Sequence, residues 1–166
     1  MYREILTKAI IAKGNKKIIE NHTFNTENNI TKVLGCWIIN HNHEVYIKSN
    51  KIYIKGSYDA HLWYGYDDNT NSALLIKTIE FDNEIPYNFT LEKSILSDKN
   101  ELIDYVNTEP SCSKMFFEDN KLIITIERIY DVDIIGETKI KIKVDDVIID
   151  EMINTNYVND NKQWPT

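Results

Sequence analysis

The sequence predicts a mainly β protein: an antiparallel β-sandwich-like single domain with a short acidic C-terminal tail. Three observations predict it. Apolar and polar residues alternate over two long runs, turn-forming residues fall between the runs, and no window carries a comparable apolar stripe at helical spacing. Ile occurs 27 times against 9 Leu and 4 Ala, while Asn and Lys are also frequent and Arg appears twice. An AT-rich coding sequence produces that combination, so the abundance of β-branched residues is discounted. Residue order alone is taken as strand evidence.

Along the chain, Ile5, Leu6, Ala9 and Ile10 suit a short helix or a strand running to Ala12. Short strands are expected over 33–39 and 44–48. From Ile52 the even positions read Ile52, Ile54, Gly56, Tyr58, Ala60, Leu62, Tyr64 and Tyr66, with Lys51, Lys55, Ser57, Asp59 and His61 between them. That period of two marks a strand with one buried face. Tyr53 and Trp63 break the polar face. Asp67-Asp68-Asn69-Thr70-Asn71 is turn chemistry throughout and predicts a hairpin loop into a strand over 74–81, with another over 87–91. Asp98 with Glu101 has the form of a capping box ahead of Leu102-Ile103, a second short helical candidate. Glu118-Asp119-Asn120 is the next turn. Beyond it the same parity returns in Leu122, Ile124, Ile126, Tyr130, Val132 and Ile134, and Lys139 to Val144 alternates without a fault. Lys139, Lys141 and Lys143 on one face would guard an exposed edge. About eight short strands result. After Val144 the apolar period fades, which sets a β-rich domain at 1–146 and an acidic, partly disordered tail at 147–166.

At 166 residues one hydrophobic core is expected. A net charge of -7 offers no electrostatic footprint for nucleic acid or an anionic membrane. No apolar run approaches the ~20 residues of a membrane span, and the N-terminus, with Glu4, lacks the features of a signal peptide. Two cysteines, Cys36 and Cys112, make no disulfide framework, and a reducing cytosol would keep both free.

The candidate chemistry is thin. Cys36, His41 and His43 could begin a zinc site, but Cys36 has the opposite strand parity and no second cluster supplies the missing ligands. Asp67-x-Asn69-x-Asn71 copies the start of a calcium loop, yet Ser72 and Thr78 stand where Gly and Glu are required, so a hairpin turn is expected. Nothing marks either thiol as an activated nucleophile, and Cys112 stands far from Cys36 in sequence. Asp59, Glu127, Asp131 and Asp133 sit on polar strand faces, where solvation explains them. No metal, no cofactor and no catalytic residue is expected. The aromatic residues say more. Trp63 projects from the face opposite Tyr64, so one strand presents large rings in both directions. One ring must lie outside the core or be covered by another layer or another molecule.

Several local strings resemble a known family. Tyr2-Arg3-Glu4-Ile5 with Lys8-Ala9 and Ala12-Lys13-Gly14, then Gly35-Cys36-Trp37-Ile38-Ile39-Asn40-His41, are similar to segments of the outer spore coat morphogenetic protein CotE family. Trp63-Tyr64 with Asn69-Thr70, Pro110-x-Cys112, and Gly136-Glu137-Thr138-Lys139 follow in the same order, so the resemblance runs from residue 2 to about 144. It implies a non-catalytic scaffold made in the mother-cell cytoplasm, placed at the forespore surface and kept in the spore coat. Such a protein self-associates as a homo-oligomer and recruits other outer-coat proteins. The family's long acidic tail is reduced here to Asp145, Asp146, Asp150, Glu151 and Asp160. The residues expected to make contacts are Cys36, Trp37, Tyr53, Trp63, Tyr64 and Cys112. The alternative is a β-sandwich glycan-binding module that stacks sugars on Trp63, Tyr64 and Tyr66.

Overall fold

The computed structural model describes residues 2–91 and 94–143; the expectations placed on Val144 and on the tail from 147 lie outside them. Among the described residues seven strands follow in order: β1 (Tyr2–Asn25), β2 (Ile30–Lys48), β3 (Lys51–Tyr66), β4 (Asn71–Ile85), β5 (Tyr87–Phe89), β6 (Glu101–Glu118) and β7 (Lys121–Lys143). No helix occurs among the described residues. The strands form two sheets, one in the order β5-β1-β7-β6 and one in the order β2-β3-β4. The mainly β, antiparallel, two-sheet expectation is borne out. The strands are fewer and much longer than expected.

The turns explain part of that length. Ser49 and Asn50 (φ 52° and 64°) join β2 to β3, and Asp119 and Asn120 (51° and 57°) join β6 to β7. Two consecutive left-handed residues make the primed turn whose twist matches a hairpin, and Asn and Asp tolerate that region best. At the β3–β4 turn Asp67, Asp68 and Asn69 are all left-handed, the Thr70 N–H donates to the Asp67 carbonyl (3.0 Å), and the Asn71 amide donates to the Asp67 carboxylate (2.9 Å). The hairpin reading of that loop is correct.

Both undecided helical candidates are strand. Ile5 to Ile10 belongs to β1, and Glu101 opens β6 rather than capping a helix. β6 escapes recognition because it is an edge strand: Pro110 sits within it, and its pairing with β7 shifts register three times between Val106 and Lys114. An edge tolerates a missing N–H and an irregular ladder, which erases the period of two.

Contacts divide the chain into two compact units, Ile10–Gly136 and a second formed by both ends. In the first unit the inward residues of both sheets make one core. Ile52, Ile54, Tyr58, Ala60 and Leu62 of β3 and Leu122, Ile124, Ile126, Tyr130, Val132 and Ile134 of β7 are all fully buried, as the alternation requires. Each stripe has one gap. Gly56 fills the first because the Asn42 backbone lies where its Cβ would stand. Arg128 fills the second and is itself fully buried. In the second unit, residues 2–9 and 137–143 are described, and all are strand. In its sheet β7 lies between β1 and β6, and its pairing with β6 ends at Ile135 opposite Glu101, short of Lys139, Lys141 and Lys143.

Candidate functional site

The outward face of the β2-β3-β4 sheet is the first candidate. Directly opposed residues of an antiparallel pair share a face, and register places Gly35 and Leu74 beside Trp63, Trp37 and Ile76 beside His61, and Ile39 and Thr78 beside Asp59. Trp37, Ile39, Leu74 and Ile76 are between 38% and 54% exposed, so half of this face is an apolar patch around Trp63. The Trp37 ring lies across Gly35, where an added Cβ would meet its Cη2 at 3.0 Å, so the missing side chain gives the ring its seat. The other half of the face carries Tyr46 beside Tyr53, Glu44 and Asp82 beside Lys55, and Glu84 beside Tyr53. Tyr46 stacks on Tyr53 with 5.3 Å between centroids, and Lys55 pairs with Glu44 at 3.0 Å.

The residues singled out in the sequence therefore separate. Trp37 and Trp63 come together in the apolar half, and Tyr53 stands ten residues away along β3 in the charged half. Tyr64 turns inward, is buried, and accepts a hydrogen bond from the Asn28 amide at 3.3 Å. It cannot share a platform with Trp63, so the glycan-stacking trio does not exist as one surface.

The second candidate is the seam where β2 runs beside β6. His41 Nδ1–H donates to the Glu109 carboxylate and the Tyr130 hydroxyl donates to Nε2, both at 2.9 Å. His43 Nε2 bonds to Asp104, and the two imidazoles stack with centroids 5.2 Å apart. Burial pushes His41 below the ordinary histidine value, with Glu109 opposing the shift. Burial likewise raises the Tyr130 hydroxyl. The Glu–His–Tyr order has the outline of a proton relay, but Tyr130 is fully buried and no substrate atom could approach its oxygen. Its chemistry is to close the seam with satisfied polar groups. Sequence reasoning missed Glu109, Asp104 and Tyr130 as partners, because nothing in one chain's order pairs β2 with β6.

Cys36 and Cys112 meet at the same seam. Between Ile39 and Asn42 the β2 register shifts, and Asn40 is left-handed (φ 56°). That bulge reverses strand parity. It brings Cys36, opposite Leu62, onto the same inward face as His41 and His43, which corrects the expectation of opposite faces. Cys112, opposite Ile126 on β7, is not isolated: it packs against the same core as Cys36 and the two thiols perturb each other, while its own Sγ–H donates to the Lys114 carbonyl at 3.2 Å. Among the described residues no group of three His, Cys, Asp or Glu has metal-site geometry.

A third polar group lies within the core. Arg128 Nη2 donates to Glu20 (3.1 Å) and to Asn83 (2.7 Å), and its guanidinium carbon stands 4.3 Å from the Phe81 centroid. Among the described residues its Nε and Nη1 find no hydrogen-bond partner.

Comparison with known proteins decides the family: the family model described as outer spore coat protein E (CotE) matches residues 1–164. The chain belongs to the CotE family. The resemblance carried by the Gly35–His41 segment and the later strings is thereby borne out, and the chain is that of a structural spore coat protein. No curated protein and no solved structure matches it. No helix of the described residues is long and apolar enough to cross a membrane.

Proposed function

We propose that this CotE-family chain is a non-catalytic, self-assembling scaffold, and that the apolar half of the β2-β3-β4 sheet docks a second copy. One observation carries the reading: Trp37, Ile39, Leu74 and Ile76 stand exposed around Trp63 on one sheet face. A ring of this kind buries ~150–250 Å² when covered, which at ~25 cal/mol per Å² is a few kcal/mol for each. The patch suits a like surface. Asp59 is its one carboxylate by register, so the net charge of -7 is held largely off it, and the flanking half carries both signs. An isologous contact would set apolar on apolar.

In this reading the protein is made in the mother-cell cytoplasm, assembles at the forespore surface and recruits other outer-coat proteins there. The experiment is light scattering of the full chain and of Trp37→Ser with Ile76→Ser, both residues being exposed enough to leave the core intact. The wild type should have a mass several times 19.5 kDa, and the double variant should be folded and smaller. A wild type that is monomeric at high micromolar concentration would overturn self-assembly. A folded double variant that assembles as well as the wild type would reject this face and leave the scaffold role standing.

A further inference from the structure

The two cysteines belong to different sheets, and their strands meet only through the fold. Along β2 from His43 to His41 the hydrogen-bond partners on β6 are Asp104 and Glu109, and beyond them come Cys36 on β2 and Cys112 on β6. One index falls while the other rises. The two edge strands are thus antiparallel neighbours, and the thiols lie further along the same seam, Cys36 opposite the buried Leu62 and Cys112 opposite the buried Ile126, so both face the core. Both sulfurs pack against the same core, both residues are half-buried, and both are free thiols.

We propose that Cys36 and Cys112 are a built redox site that closes to an intramolecular disulfide, joining the β2-β3-β4 sheet covalently to the β5-β1-β7-β6 sheet. The environment divides the labour between the sulfurs. Contact with Cys36 brings the Cys112 thiol down to about 7, burial opposes this, and the backbone at Lys114 and Thr125 also lowers it. Contact with Cys112, followed by burial, pushes the Cys36 thiol far up. Cys112 is therefore the attacking sulfur, since a thiol titrating near ambient pH is the best nucleophile for exchange.

The oxidant is a low-molecular-weight disulfide. The Cys112 thiolate attacks one of its sulfurs, forming a mixed disulfide and releasing one small thiolate, which takes up the proton that Cys112 gave to solvent. Cys36 then loses its proton and attacks the Cys112 sulfur, forming the Cys36–Cys112 bond and expelling the second small thiolate, which is protonated in turn. Two electrons pass to the oxidant, and two small thiols leave.

The test treats reduced full-length protein with glutathione disulfide, followed by acid quenching, alkylation and intact mass measurement. The expected product is one chain lighter by its two thiol hydrogens, with a peptide map joining Cys36 to Cys112. Its thermal midpoint should lie about 5–15 °C above the reduced form, because the bond closes a loop of roughly 75 residues. Cys36→Ala should instead stop at a glutathione adduct on Cys112. A wild type that stops at that adduct, or whose main product joins two chains, would overturn the proposal. So would a correct Cys36–Cys112 bond that lowers the midpoint, because the thiols would then not be held in a geometry that accepts it.

Discussion

Removing Glu20 should damage the fold more than removing the buried arginine that it neutralises. Arg128 is fully buried, and Glu20, at 3.1 Å, is its paired carboxylate among the described residues. Glu20→Ala leaves a guanidinium in the core with Asn83 and aromatic faces but no counter-charge. Breaking a buried pair in this way costs about 3–5 kcal/mol. Glu20 is 29% exposed, so water can reach the vacated space, and about 3 kcal/mol is expected.

Arg128→Met removes the cation together with the unpartnered Nε and Nη1. Each unmet buried donor costs about 1–3 kcal/mol, so relief from these offsets the lost stacking on Phe81, worth up to about 2 kcal/mol. The net change should be within about 1.5 kcal/mol of zero. Urea unfolding at constant m reads both values directly. The thermal midpoint of Glu20→Ala should fall by about 6–12 °C. The double variant should be no less stable than Arg128→Met alone, since Glu20 then has no buried charge to meet. If Arg128→Met proves the more costly substitution by over about 1 kcal/mol, the arginine is a net stabiliser and the reasoning fails.

Gly56→Ala drives a Cβ into the Asn42 backbone at the β2 bulge and should cost about 2–3 kcal/mol by denaturant titration, with a shifted His43 environment in NMR spectra. His41 sits below its unfolded value, so its neutral form supports the fold above the ordinary histidine pKa, and that support is lost as pH falls through the folded value. His41→Asn should therefore flatten the fall in stability between about pH 6.5 and lower pH, measured by urea midpoints. Alkylation of the native, reduced chain should modify Cys112 with a rate half-maximal near pH about 7 and spare Cys36; rapid labelling of both would refute the unequal pair.

The strand interiors were legible because a period of two is a property of order alone. Ile52 to Leu62 and Leu122 to Ile134 can bury one face in only one way, whatever they pack against. The hairpin turns were legible for a similar reason, since Asp and Asn supply left-handed backbone locally. The Gly35–His41 string was legible as a family segment. The reason for its composition was not: Gly35 seats the Trp37 ring outward, while the bulge at Asn40 turns His41 and His43 to the same inward face as Cys36. A bulge adds one residue and reverses parity, and it leaves no signal in an alternating pattern. Arg128 read as an interruption because its pairing with Glu20 and Asn83 spans the chain. By itself the sequence determined the β class, the two buried stripes, the turns and the family. Only the tertiary structure decided which edges meet, and with them the Cys36–Cys112 pair, the His41 seam and the separation of Trp63 from Tyr64. Those depend on contacts between strands far apart in the chain, where neither periodicity nor local turn chemistry acts.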